Sequence, residues 1–227
     1  GRPVLWHIMN IYARFGFKDF ILPLGYKGEY IKQYFHDYRM RNADFTVDLA
    51  TGSTTYHPTA QVTDWRVTMS DTGPETLKGA RIKRIAQHID TDRFMVTYGD
   101  GVSDINISEL VDFHIKSGKM ATFTGVRMPS RFGSVKTDEN GNILSWQEKP
   151  VLDEYINCGF FVFKREFLDY LSEDESCDLE KEPLERLAAE GQLSMYRHTG
   201  FWQCMDTLRD AQALNSLWDK GNAPWCK

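Results

Sequence analysis

No stretch of this 227-residue chain stays apolar over the roughly 20 residues a membrane-spanning helix needs, which argues against a helical membrane protein. Basic charge is also scarce. Lys and Arg number 27 against 32 Asp and Glu, and a net charge of −5 leaves no basic excess for general nucleic-acid binding. A few placed cations would still suffice for a small anionic substrate. Cysteine is sparse and scattered: Cys158, Cys177, Cys204 and Cys226 form no CxxC pair. Neither a zinc site nor a disulfide framework is indicated, and a reducing cytoplasm is expected. The histidines show no HExxH spacing, no Gly-x-Ser-x-Gly elbow occurs, and neither a GxxxxGK(S/T) phosphate loop nor a GxGxxG turn is present. A starting Met is missing as well. Gly1-Arg2-Pro3 runs at once into a helical pattern, unlike a signal peptide, as if something before it had been removed.

What is present is an alternation of helical and strand patterns. Leu5, Ile8, Met9, Tyr12 and Phe15 share a face at helical spacing, and Gly16 ends that helix. Phe20-Ile21-Leu22-Pro23-Leu24 reads as a buried strand, although Pro23 disfavours a central ladder. A helix is predicted over residues 29–39, and Thr76 is a candidate cap for another running to about Ile89. Phe94 to Tyr98, Ala121 to Val126, Ile156 to Phe163 and Leu193 to His198 read as strands. Asn140-Gly141 marks a hairpin between Val135-Lys136-Thr137 and Ile143-Leu144-Ser145-Trp146. A final helix through Trp218 is capped by Asp206 or Thr207. Such alternation predicts a Rossmann-like α/β fold, with a mixed, mostly parallel sheet, helices on both faces and an antiparallel addition in the second half. One continuous domain is expected, with halves at about 1–118 and 119–227.

Four groups of residues suggest chemistry. The first is Tyr98-Gly99-Asp100-Gly101, a strand end that stops at a glycine-flanked carboxylate. Ligands of open α/β sheets sit beyond the carboxyl ends of the strands, where Asp100 can meet a metal ion or phosphate; equally, it can serve a plain turn. The second is Gln147-Glu148-Lys149-Pro150, in which Glu148 suits paired hydroxyls and Lys149 suits a phosphate, against a solvated ion pair at a strand end. The third is Gly200-Phe201-Trp202-Gln203-Cys204-Met205-Asp206, where Asp206 is either a second metal ligand or a helix cap. The fourth is the basic run Lys78, Arg81, Lys83 and Arg84, either facing a triphosphate or forming a solvated face.

With these residues in order, the chain resembles the sugar-1-phosphate nucleotidyltransferases nearly end to end. The matching pieces are Leu5-Trp6-His7-Ile8-Met9, Gly25-Tyr26-Lys27-Gly28, Asp71-Thr72-Gly73 with Thr76 and Arg81, and Thr97-Tyr98-Gly99-Asp100-Gly101-Val102-Ser103-Asp104. Arg131-Phe132-Gly133, Glu148-Lys149-Pro150, Gly159-Phe160-Phe161, Phe201-Trp202-Gln203, Met205-Asp206-Thr207-Leu208-Arg209-Asp210 and Ala223-Pro224-Trp225 continue the series. The resemblance implies transfer from CTP to α-D-glucose 1-phosphate, giving CDP-glucose and pyrophosphate for surface-polysaccharide synthesis. It implies Mg²⁺ on Asp100 and Asp206, catalysis by these with Lys149, and a nucleotide side lined by Thr76, Arg81 and Gly99. The sugar phosphate would be held by Gly133, Glu148, Lys149, Asn157 and Trp202.

A homo-oligomer is expected, with residues 45–65 as a subunit contact or lid. The family's glycine-rich loop would precede Gly1, so the sheet's first strand and part of the nucleotide site are expected to lie outside this chain. Cys158, Cys204 and Ala80 stand where the family usually has glycine, proline and glycine, and Cys158 is expected to narrow the sugar pocket. The same chemistry on another nucleotide or sugar is one alternative. A metal-dependent glycosyltransferase is another, although Asp90-Thr91-Asp92 precedes its strand. A non-catalytic nucleotide-binding protein is the third.

Overall fold

The computed structural model describes residues 2–57, 63–130 and 132–226. In chain order its elements are α1 (Val4–Ala13), β1 (Asp19–Leu24), α2 (Gly28–His36), α3 (Tyr38–Asn42), β2 (Phe45–Val47), β3 (Thr54–Tyr56), β4 (Arg66–Asp71), α4 (Lys78–Arg84), β5 (Arg93–Thr97) and β6 (Gly101–Ser103). There follow α5 (Ile107–Ser117), β7 (Ala121–Val126), β8 (Ser134–Thr137), β9 (Ile143–Gln147), β10 (Ile156–Lys164), α6 (Glu182–Ala189), β11 (Leu193–His198), β12 (Trp202–Cys204) and α7 (Leu208–Asp219). They gather into two compact units that interleave along the chain. The larger comprises Gly1–Phe15, Thr91–Phe167 and Arg186–Lys227, the smaller Gly16–Asp90 and Leu168–Glu185. Among the described residues no helix is long and apolar enough to cross a membrane.

The larger unit is built on a four-stranded sheet ordered β11-β7-β10-β5. β11 runs parallel to β7, and β10 is antiparallel to both of its neighbours, so three strands point one way and β10 alone opposes them. β10 explains its own place. Its residues Cys158 to Phe163 are all buried, as a strand flanked and covered on both faces requires. By alternation Phe160 and Val162 share a face. That face receives α1, whose Tyr12 ring stacks on Phe160 at 5.9 Å, and α5, whose His114 Nδ1 lies 2.9 Å from Thr122 Oγ1. The opposite face carries Phe161 and Phe163, and Phe163 stacks on Phe167 with ring centroids 4.1 Å apart. β8 and β9 form the expected hairpin, closed by Asp138, whose carboxylate accepts from Asn140 and Asn142 N–H.

The smaller unit centres on parallel β1 and β4, in register from Asp19↔Arg66 to Leu24↔Asp71. Pro23 sits inside β1 without penalty because, among the described strands, β1 pairs along one side only. The single helix expected over residues 29–39 breaks into α2 and α3 at Asp37, whose carboxylate accepts from the Gln33 amide and pairs with Arg41 at 3.7 Å. Thr76 is not a helix cap: α4 starts at Lys78, with Leu77 at the cap position. The helix also stops at Arg84 rather than Ile89, giving way to a 3-10 turn at Ala86–His88.

Candidate functional site

In the larger unit, the Asp100 turn and the Asp206 segment are held together by backbone. β6 begins directly after Asp100 and pairs antiparallel with β12, Gly101 opposite Cys204. The ladder extends one step further, Met205 N–H donating to the Asp100 carbonyl at 2.9 Å. Asp100 and Asp206 therefore flank one end of the same two-stranded ribbon, and both are exposed. The helix-cap reading of Asp206 does not hold. Thr207 caps α7, its hydroxyl accepting from Asp210 N–H while the Asp210 carboxylate accepts from Thr207 N–H, a complete capping box. The Asp206 carboxylate is thus not spent on the helix; it accepts the Cys204 thiol at 3.3 Å. Burial, reinforced by that carboxylate, pushes the Cys204 thiol up to about 11.

The two glycines around Asp100 serve different ends. A Cβ on Gly99 would meet nothing within 4 Å, so the space beside it is open. A Cβ on Gly101 would come 3.2 Å from Trp202 Nε1, so that glycine lets the indole lie against the backbone. Trp202 donates its only N–H to the Cys158 carbonyl at 2.8 Å, which leaves its ring as a wall and not as a hydrogen-bond donor for sugar. Cys158 itself is 2% exposed, and burial pushes its thiol up to about 12. Its side chain belongs to the core.

Glu148 and Lys149 follow β9 and are exposed. The Glu148 carboxylate lies over Gly133, where a Cβ would stand 3.1 Å from Oε2. Lys149 has φ +47, one of only two non-glycine residues with positive φ among the described residues, and it precedes Pro150. A lysine in the left-handed region costs about 1–2 kcal/mol, and proline restricts its predecessor further. Such strain collects at functional sites. Asn157 is tied on both sides, donating Nδ2 to Tyr98 Oη at 3.0 Å and accepting from Gly159 N–H on Oδ1 at 2.9 Å.

Next to this group, Ser103, His198 and Asp104 come together, yet they are no hydrolytic triad. Both Ser103 Oγ and Asp104 Oδ1 lie 3.1 Å from the same His198 Nε2, and Ser103 is fully buried. A nucleophilic relay needs the acid and the serine on opposite ring nitrogens. The cluster anchors the Phe201 turn, whose N–H donates to Asp104 at 2.7 Å.

In the smaller unit, the carboxyl ends of β1 and β4 meet at Leu24 and Thr72, joined by Thr72 N–H to the Leu24 carbonyl at 2.8 Å. Arg81 reaches back over this end. Its guanidinium donates to Thr72 Oγ1 at 2.7 Å and to the Pro74 carbonyl at 3.2 Å, and it lies so close to Gly25 that any side chain there would collide. A cation fixed at the carboxyl ends of parallel strands is placed for an anionic ligand. Thr76 is 3% exposed, and its hydroxyl accepts from Arg84 Nη1 at 2.9 Å, so the side chain braces the turn from inside. The other basic residues of the run are also engaged, Lys78 with Glu180, Lys83 with the Leu168 carbonyl and Arg84 with the Thr72 and Glu173 carbonyls.

Asp90-Thr91-Asp92 lies at the entry of β5 and not at the end where Asp100 stands. Arg131 and residues 58–62 of the 45–65 segment lie outside the described residues. Sequence reasoning missed the bond between Tyr98 and Asn157, because nothing in the spacing of residues 98 and 157 announces a β-bulge.

The chain matches the nucleotidyl transferase family over residues 32–219. It is 45% identical over 227 residues to a glucose-1-phosphate cytidylyltransferase of Salmonella typhi, covering 99% of this chain and 87% of that protein. It is 41% identical to a probable glucose-1-phosphate cytidylyltransferase of Bacillus subtilis, again over 99% and 87% of the two chains. Among solved structures, HddC from Yersinia pseudotuberculosis superposes with a TM-score of 0.67 at 18% identity, over 96% of this chain and 86% of that one, a likeness of fold.

Proposed function

The chain belongs to the nucleotidyl transferase family, and from that premise we infer that it joins CTP to α-D-glucose 1-phosphate, releasing pyrophosphate and CDP-glucose. The reading is carried by near-complete coverage at 45% identity to a glucose-1-phosphate cytidylyltransferase. The family match spans segments of both compact units, so we treat them as parts of one transferase domain. All four cysteines are free, in keeping with synthesis in a reducing cytoplasm.

The chemistry makes modest demands. A phosphate oxygen of the sugar phosphate is already ionised at neutral pH, so no general base is required. It forms a bond to the α-phosphorus of CTP while the α–β bridging oxygen departs with its electron pair as pyrophosphate. The obstacle is bringing two anions together, and the remedy is position and positive charge. We assign the phosphate of glucose 1-phosphate to Lys149 as a fixed point charge, and sugar hydroxyls to Glu148 above Gly133. Asn157 retains a second Nδ2 hydrogen for the sugar phosphate, and Trp202 supplies an apolar wall. On the nucleotide side we assign Arg81, which keeps donors beyond the two it spends on Thr72 and Pro74, and the open backbone at Gly99. Thr76 serves that side indirectly, by bracing the turn.

Asp100 and Asp206 fit a hard divalent cation. They are exposed carboxylates on adjoining backbone, and Mg²⁺ is commonly bound through one or two carboxylates, with substrate phosphates and water completing its shell. Held there, Mg²⁺ would offset charge on the phosphates during transfer. The test is pyrophosphate release from CTP, glucose 1-phosphate and Mg²⁺. Asp100→Asn and Asp206→Asn should each lower kcat by at least about 100-fold, the scale of losing one electrostatic stabiliser. No release with any of the four common nucleotides would reject the function. Near-native rates in either variant would reject the metal assignment.

A further inference from the structure

One side chain joins the Asp100 turn to Asn157. Tyr98 directly precedes Gly99-Asp100, and its hydroxyl accepts from Asn157 Nδ2 at 3.0 Å. The far end of the same amide is fixed by Gly159 N–H at 2.9 Å, so the amide has one orientation. Tyr98 also holds Gly159. Its own N–H donates to the Gly159 carbonyl at 3.2 Å, and its ring crosses the glycine so closely that a Cβ would stand 2.6 Å from Cδ2. These contacts matter because the regular ladder fails here. Asn157 is paired with Gly125 of β7, but the register shifts between Asn157 and Phe161, so Asn157 is the last paired residue before the irregularity and its side-chain aim is not backed by a continuous ladder. Bulges of this kind re-aim side chains, and something else must then fix the aim.

The ring of Tyr98 has a packing role of its own, 5.8 Å from Phe161 between centroids. Packing explains an aromatic residue at this position, and phenylalanine would serve it equally well. It does not explain a hydroxyl directed at an amide. We propose that Tyr98 is a positioning residue for nucleotidyl transfer, its hydroxyl holding Asn157 in the pose that meets the sugar phosphate while its backbone leads into the Asp100 turn. The proposal rests on the assignment of Asn157 to the sugar phosphate. It adds that the sugar-side amide and the carboxylate turn are kept in register by this one residue, so losing the hydroxyl is felt at the sugar and not at the base.

Tyr98→Phe, made in the full chain, keeps the ring and deletes the hydroxyl. With saturating CTP and Mg²⁺, the KM for glucose 1-phosphate should rise about three- to tenfold, the effect of one hydrogen bond. The KM for CTP and the melting temperature should stay at wild-type values. Asn157→Ala should weaken glucose 1-phosphate at least as much, and adding Tyr98→Phe to it should bring no further loss, since both changes break the same bond. An unchanged KM for glucose 1-phosphate in Tyr98→Phe overturns the proposal. So do losses that multiply in the double variant, or a shift in both KM values together with the melt, which marks a merely structural tyrosine. Calorimetric titration with glucose 1-phosphate alone separates the proposal from the functional reading. Wild-type binding that weakens in Tyr98→Phe upholds the proposal even without turnover, whereas a wild-type protein that binds no glucose 1-phosphate overturns the sugar-site assignment and the proposal with it.

Discussion

Replacing Gly159 by alanine measures how firmly the Tyr98 contact holds this part of the sheet. Gly159 has φ +83, and an added Cβ would lie 2.6 Å from Tyr98 Cδ2, 3.0 Å from Cγ and 3.2 Å from Cε2. Two penalties combine. A non-glycine residue in the left-handed region costs about 1–2 kcal/mol. Forcing a methyl against the root of a packed ring adds about 1–3 kcal/mol, because Cγ cannot swing away as a flexible tip would. The sum is about 2–5 kcal/mol. At roughly 2–4 °C per kcal/mol for a chain of this size, melting should fall by about 4–20 °C. Gly141→Ala supplies the control, since Gly141 has φ +81 and open space within 4 Å. It bears the backbone penalty alone, about 1–2 kcal/mol. Differential scanning calorimetry of the two variants compares them directly. Equal losses would refute the argument, because the Tyr98 ring would then contribute nothing to the cost.

Two further outcomes follow from buried groups. His114 is fully buried, its Nε2 finds no hydrogen-bond partner among the described residues, and burial, with the charges of Arg93 and Lys164, pushes its pKa down from 6.5 to about 4. Below pH 6.5 the unfolded chain binds a proton that folded His114 refuses, so stability drains as pH falls towards 4, by up to about 1.4 kcal/mol per unit. His114→Leu should flatten the melting profile over that window, and parallel profiles for the two proteins would contradict the assignment. Cys158, 2% exposed with its thiol pushed up to about 12, should stay unmodified by iodoacetamide at pH 8 while exposed Cys226 reacts. Mass spectrometry of labelled peptides reads this out, and rapid labelling of Cys158 in the folded protein would show that its side chain is not in the core.

Much of the architecture was legible because it is written in local pattern. The apolar run of β10, the Asn140-Gly141 hairpin and the glycine after α1 all announce themselves over a few residues. Asp100 at the end of an apolar strand was legible for the same reason. What escaped reading depends on contacts distant in the chain. Asp206 and Thr207 were equal candidates for the cap, and only the reciprocal bonds with Asp210 separate them. The Trp202 N–H is consumed by the Cys158 carbonyl, a backbone group no sequence pattern marks, so the part proposed for Trp202 falls to its ring alone. Cys158 departs from a family habit, and its burial within β10 is set by contacts on both faces of the sheet that no local pattern displays. Thr76 does not cap α4, and the donor its hydroxyl meets instead is the Arg84 guanidinium, which no local pattern announces.

The β6–β12 ribbon carries a consequence for how the molecule is made. Asp100 and β6 are translated well before their partner strand β12 and Asp206. No amount of early folding can bring the two carboxylates together. A chain stalled or clipped before residue 202 lacks the β12 partner that anchors the Asp100 turn, and a pairing this distant in sequence forms late. On the proposed metal assignment, cation binding waits for β12, so a cation-dependent gain in protease resistance, followed on nascent chains of increasing length, should begin only once residue 206 has been translated.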